Sequence, residues 1–318
     1  MLVRLRDSNA PSAGSVGWVP GVFKKPYLYP GVALLAVAGW AFATAWSPIA
    51  AGHRTYMVFY AASALLGLAA IGLAVRGAGL PTRHWRAAFG TTGLLIAVFV
   101  TWFVTPFGAT DAALASLESD DLVTVTSFGT HITMTPVDSQ RPTGLIFQPG
   151  ARVDARAYAG VLRPLAEAGH PIVIVKQPLG LAFFAAGFAP SWTEDHPEIE
   201  RWVVGGHSLG GVVAAQNAVD GNTIEDLVLW ASFPASDISN STIEATSIYG
   251  TNDGLATAAD IEASRENLPE SATFVPIEGA IHSHFAGYGL QPGDGDPDIS
   301  AEEAQRRIAE ATLAFLSG

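Results

Sequence analysis

Three long uncharged apolar runs open the chain. They cover residues 27–46, 56–75 and 87–110. Each is near the ~20 residues, roughly 30 Å of helix, that cross a bilayer core. Their number and close spacing predict three membrane-spanning helices rather than buried helices of a globular core. Tyr and Trp flank several ends, as interfacial anchors do. Abundant small residues would allow the helices to pack closely. Beyond residue 110 the pattern changes. Short β-branched runs recur at 122–126, 130–135, 144–148, 171–176, 201–206, 226–231, 245–250 and 272–277. The first two predict a hairpin around Phe128-Gly129. The later runs lack strict alternation, as strands covered on both faces do. Helical patterns separate most of them, at 155–168, 208–219, 257–268 and 301–316. Asp154 suits an N-cap and Gly169 a helix stop. Strand–helix alternation predicts a mostly parallel sheet of about eight strands with helices on both faces. Two regions follow: a membrane region at 1–110 and one compact domain at 111–318.

Charge sharpens this division. Residues 1–108 carry eight Lys/Arg and one acid, whereas residues 109–318 carry nine Lys/Arg and 28 acids. The acidic part argues against nucleic acid as a partner, because phosphate contacts need a basic face. The absence of cysteine excludes disulfides, thiolate catalysis and Cys-ligated zinc. Orientation follows from Lys and Arg in the short connections. Arg4, Arg6, Lys24 and Lys25 precede the first run, Arg54 alone lies in 47–55, and Arg76, Arg83 and Arg86 lie in 76–86. Asp111, Glu118, Asp120 and Asp121 follow the third run. This alternation places the N-terminus in the cytoplasm and the domain on the extracytoplasmic side of the cytoplasmic membrane. A competing reading makes the first run a cleavable signal with Ala43-Thr44-Ala45 as its site. It leaves the domain outside as well.

The chemistry concentrates at predicted strand ends, where parallel sheets build their sites. Gly206-His207-Ser208-Leu209-Gly210 fits G-x-S-x-G between a strand and a helix. Glycines permit the tight turn that lifts Ser208 above the sheet, at the positive end of the helix. A nucleophilic serine needs a base and an orienting acid, in the chain order serine, acid, histidine. Asp253 and His282 each lie just beyond a predicted strand end. His284 competes with His282 as the base. Two N–H donors for an oxyanion would come from Leu209 and, in FQPGARVD, from Ala151.

These segments resemble the α/β-hydrolase superfamily, in its dienelactone-hydrolase-like serine-hydrolase branch. The nearest likeness is to a bacterial and archaeal group with an N-terminal membrane segment. The resemblance covers about 120–310 and rests on SDDLVTV (119–125), IFQPGARVDARAY (146–158), VIVKQPLGLAFF (173–184), WVVGGHSLGG (202–211), YGTNDG (249–254) and IEGAIHSHFAGYGLQPGD (277–294). In that group the last motif reads glycine-glycine-asparagine-histidine, then two residues to a phenylalanine. Alignment on Phe285 makes His282 the base, with Ala280 and Ile281 in place of the usual glycine and asparagine. The group usually has a single anchor where this chain has three runs. The resemblance implies an α/β-hydrolase fold and a carboxylesterase-type serine hydrolase working through an acyl-enzyme.

Between the predicted strands ending at 231 and starting at 245, the interval is too short for a sizeable cap, which predicts an open site. Phe183, Phe184, Phe233 and Trp192 lie in segments that border it. The first two and Phe233 are the candidate acyl pocket, set against ordinary core packing. Lys176 reads as a solvated strand end, with contact to substrate as the alternative. Asp294, Asp296 and Asp298 lack the spacing of a calcium loop. The expected partners are a small ester or acyl substrate and the lipid bilayer, with no metal and no cofactor. The alternative from another class is a catalytically silent hydrolase-like module that binds a ligand or partner, and Ala280-Ile281 is its support.

Overall fold

The computed structural model describes residues 27–77, 82–103, 105–138, 140–220 and 224–318. The basic residues Arg4, Arg6, Lys24 and Lys25, used above for orientation, lie outside this set. Four helices come first: α1 (Leu28–Thr44), α2 (Trp46–Ala51), α3 (Thr55–Val75) and α4 (Arg83–Phe103). Helix α1 stops because Ala45 leaves helical geometry (φ −128°) and Pro48 follows in the next turn. Among the described residues, α3 alone is long and apolar enough to cross a membrane, with a mean hydropathy of 2.2 over its best 18 residues. Leu28–Thr44 and the apolar part of α4, Ala88–Ala97, are shorter. Small residues let these helices approach: a Cβ on Gly31 would press on the Gly67 carbonyl at 2.8 Å. The Tyr60 hydroxyl donates to the Ala38 carbonyl at 2.8 Å.

The third apolar run does not continue as helix to residue 110. It ends at Phe103, and Pro106 disfavours helical geometry in the residue before it. The chain then joins the large domain. Phe107 pairs with Val153 in a parallel bridge, and the Thr110 amide donates to the Gly287 carbonyl. The domain therefore gathers in residues 105–110, which the sequence pattern assigned to the membrane region.

The domain itself follows the alternation read from sequence. Helix α5 (Asp111–Ala115) leads into β1 (Val123–Ser127), β2 (His131–Pro136) and β3 (Thr143–Gln148). Then come α6 (Ala159–Glu167), β4 (Ile172–Val175), α7 (Phe188–Asp195), β5 (Arg201–His207), α8 (Leu209–Asp220), β6 (Ile224–Trp230) and β7 (Glu244–Gly250). Finally come α9 (Ala258–Ala263), β8 (Thr273–Ile277) and α10 (Ala301–Ser317). The eight strands form one sheet in the order β1-β2-β4-β3-β5-β6-β7-β8. β1, β2 and β4 pair antiparallel, and the remainder pair parallel. Two apolar layers cover the sheet. One contains Tyr158, Leu162, Trp230, Phe285 and Ile308; the other contains Val173, Trp202, Val204, Leu227 and Leu229. β3 and β4 are buried at every position, which explains their unbroken apolar runs. The parallel strands all point their carboxyl ends to one rim.

Candidate active site

Ser208 follows the last residue of β5 and precedes the first residue of α8. Its φ is +51°, a left-handed conformation that costs a non-glycine residue about 1–2 kcal/mol and persists only when the surroundings impose it. The surroundings are explicit. The Ser208 amide donates to the Trp230 carbonyl at 3.0 Å, and the Ser232 hydroxyl donates to the Ser208 carbonyl at 2.7 Å. A Cβ on Gly206 would collide with the Gly210 carbonyl carbon, and one on Gly210 would collide with the Gln148 carbonyl oxygen. The G-x-S-x-G spacing is thus a steric requirement of this turn.

Asp253 lies in the turn after β7 and is 5% exposed; His282 follows β8 and is 2% exposed. His282 Nδ1 and Asp253 Oδ2 are 2.8 Å apart. The other carboxylate oxygen accepts from the amides of Leu255 and Ala256, each at 2.8 Å. The carboxylate is therefore fixed on both sides, and it orients the imidazole. Asp253 bonds His282, whereas His284 Nδ1 is buried without a hydrogen-bond partner among the described residues. The ring of His207, the residue before Ser208, lies 4.5 Å from the His282 ring. The three residues thus share one rim.

The amides of Leu209 and Ala151 donate to no protein acceptor among the described residues. The segment around Ala151 is held from several directions. The Gly150 amide donates to the Tyr158 hydroxyl at 2.8 Å. The Arg152 amide donates to the Gly180 carbonyl at 2.7 Å, and the Phe107 amide to the Arg152 carbonyl at 2.7 Å. Arg152 itself sits at φ +60°. Tyr158 also contacts His207 Nδ1 at 2.8 Å. Burial, then the neighbouring His282, holds His207 well below the usual histidine range. It is neutral, and Phe285 stacks on it. This buried Gly150–Tyr158–His207 link was not among the residues singled out from sequence. A tyrosine seven residues after a predicted turn carries no local signal of such a bond.

Asp294 is another residue whose role the sequence reading missed. Its carboxylate accepts from the His282 amide at 3.0 Å and the Ser283 amide at 2.8 Å. It holds the histidine loop, where Ala280 and Ile281 offer no polar side chain. Burial raises its pKa, but the Ser283, Gly295 and His282 amides outweigh that and hold it below the usual carboxylate range. Asp298 Oδ2 accepts from Asn252 at 2.8 Å. Among the described residues, no three His, Asp or Glu side chains gather to hold a metal.

Lys176 corrects an expectation. It is 6% exposed, and its ammonium donates to Ser127 Oγ at 2.8 Å and the Phe128 carbonyl at 2.6 Å. It ties the β1–β2 hairpin to β4 rather than facing solvent. Phe183 and Phe184 are 59% and 62% exposed and Phe233 36%, so ordinary core packing does not account for them. Trp192 stacks with Phe188 and His196. The β6–β7 connection, between Trp230 and Glu244, is short and forms no cap of its own.

Residues 144–306 match the family model described as the alpha/beta hydrolase family. The chain belongs to that family. The alpha/beta hydrolase fold, with its eight-stranded mostly parallel sheet, accounts for the position of the elbow and of the two loops facing it. Among solved structures, this alpha/beta hydrolase is similar to the esterase domain of a Rhodothermus marinus protein, at 13% identity and a TM-score of 0.47, covering 61% of this chain and 97% of that one. It is also similar to a dienelactone hydrolase from Anabaena variabilis, at 18% identity and a TM-score of 0.44, covering 62% and 97%. No curated protein matches the chain.

Proposed function

We propose that this hydrolase is a membrane-anchored serine esterase that works through a Ser208–His282–Asp253 triad and an acyl-enzyme. The observation that carries the reading is the buried Asp253–His282 bond on the rim where a strained elbow holds Ser208. Ser208 Oγ attacks the ester carbonyl carbon while His282 Nε2 takes the hydroxyl proton. The tetrahedral oxyanion accepts from the Leu209 and Ala151 amides, which are free for that purpose. Collapse expels the alcohol, which takes the proton from His282. Water, deprotonated by the same imidazole, then attacks the acyl-enzyme and releases the acid. Asp253 keeps the imidazole in the required tautomer and stabilises its cation. Asp294 supplies the loop bonding that the Ala280-Ile281 pair lacks, and this favours the enzyme over the silent binding module.

Membrane anchoring is supported by the exposed apolar surface of the N-terminal helices. Leu65 and Leu66 of α3 and Leu94 and Leu95 of α4 are 59–65% exposed, an apolar face that water would penalise. The α1–α3 connection docks on the hydrolase domain, which is consistent with both lying on one side of the bilayer. The Lys/Arg asymmetry makes that side extracytoplasmic.

A fluorophosphonate probe tests the catalytic reading on the full-length protein in detergent. Labelling that disappears in Ser208→Ala supports it, and folded wild-type protein that takes no label refutes it.

A further inference from the structure

The rim of the site is attached to the end of α3. The Leu179 amide donates to Thr55 Oγ1 at 3.1 Å, and Thr55 is the first residue of that helix. The Tyr56 hydroxyl packs directly against Gly180. Aromatic rings collect at this end of the helix pair, where Trp46 lies 5.1 Å from Phe42 and 6.3 Å from Tyr60, in the manner of an interfacial belt. Phe183 and Phe184 follow Leu179 within five residues, at most ~18 Å of chain. Both turn more than half of their surface outward. Two adjacent exposed phenylalanines beside an interfacial helix end suit a lipid surface better than water.

A groove of about 500 Å³ opens at the same place. Its walls include Phe184, Ala185, Phe188 and Trp192, and its polar positions include His53 from the α1–α3 connection and Lys176. That volume suits a small-molecule site, and the mixture of aromatic and polar positions suits an amphipathic guest. The segment that carries Phe183, Phe184 and Ala185 packs against α8, the helix that begins at the elbow. The Ala185 carbonyl accepts from Gln148 Nε2 at 3.4 Å, and the Gln148 carbonyl is the atom against which Gly210 packs.

We propose that the substrate is a bilayer-borne ester with a long acyl chain, which enters through this groove past Phe183 and Phe184. The proposal rests on the membrane-anchored esterase reading and adds to it a substrate class and a route. The phenylalanines bind the chain at the interface, and the groove leads it toward Ser208 without passage through water.

The test uses the full-length protein in phosphatidylcholine vesicles, with p-nitrophenyl acetate, octanoate and palmitate. Wild-type kcat/KM is expected to rise with chain length, and a decline beyond the acetate overturns the proposal. In the Phe183→Ser/Phe184→Ser double variant the palmitate-to-acetate ratio of kcat/KM is expected to fall at least tenfold, through KM. A ratio within twofold of wild type overturns the proposal. Fluorophosphonate labelling of the same vesicles keeps the two readings apart. Labelled protein without chain-length preference refutes only the bilayer-borne substrate, whereas absence of label at Ser208 refutes the esterase as well.

Discussion

The Leu179 amide and the Thr55 hydroxyl meet at 3.1 Å across 124 residues of sequence. The contact ties the N-terminal helices to a loop whose next residue, Gly180, accepts from the Arg152 amide at 2.7 Å. Two bonds therefore separate a helix end from the segment that bears Ala151. Thr55→Val should leave the Leu179 N–H without its acceptor, at a cost of about 1–3 kcal/mol. If the loop relaxes, the Ala151 amide shifts, and kcat for p-nitrophenyl acetate should fall up to about tenfold with little change in KM. Thr55→Ser should restore it. An unchanged kcat in Thr55→Val would show that the loop is held without this bond.

Ser208→Ala and His282→Ala should each lower turnover by about 10⁶-fold, the magnitude seen when a triad member that moves the proton is removed. His284→Ala should cost far less, because Asp253 bonds the other ring. Steady-state rates of the three variants check this. A loss confined to His284→Ala would reverse the base assignment.

Asp294→Asn should loosen the histidine loop and make stability less dependent on acid. The carboxylate is held below its ordinary value of 3.8 in the folded state. A depressed folded pKa contributes stability that is complete above the unfolded value and is lost as pH falls through the folded one. The wild type should therefore lose this contribution below about pH 4, and Asp294→Asn should lack it at every pH. Removing a charged acceptor from two amides costs on the order of 1–3 kcal/mol. Urea unfolding at pH 7 and at pH 3.5 should show a smaller difference between the two proteins at the lower pH.

Tyr158→Phe should orphan the Gly150 amide and His207 Nδ1 together, both inside the core. Each unpaired group costs about 1–3 kcal/mol, so the urea midpoint should drop clearly even though the aromatic volume is kept. A midpoint equal to wild type would mean that the hydroxyl contributes nothing to holding this loop.

The strands were legible because burial on both faces imposes long apolar runs. The runs at 144–148 and 201–206 fall within one residue of β3 and β5 at each end. The elbow was legible because its glycines are forced by collisions with backbone atoms four and five residues away or at the end of the adjoining strand. Asp253 and His282 could be placed after their strands, but their bond could not be read, since 29 residues separate them. Lys176 was misjudged because strand position says nothing about whether a hairpin closes over the strand end. Asp294 sat in an acidic loop whose composition suits solvent as well as it suits a carboxylate gripping two amides.

Local patterning therefore carried the sheet, the turn at Ser208 and the apolar character of the first hundred residues, because these follow from periodicity and from sterics between near neighbours. The bond between Asp253 and His282, the grip of Tyr158 and Asp294, and the docking of Thr55 on the rim came from packing. Each depends on a bond between groups far apart along the chain, and their meeting is settled only when the layers close around the sheet.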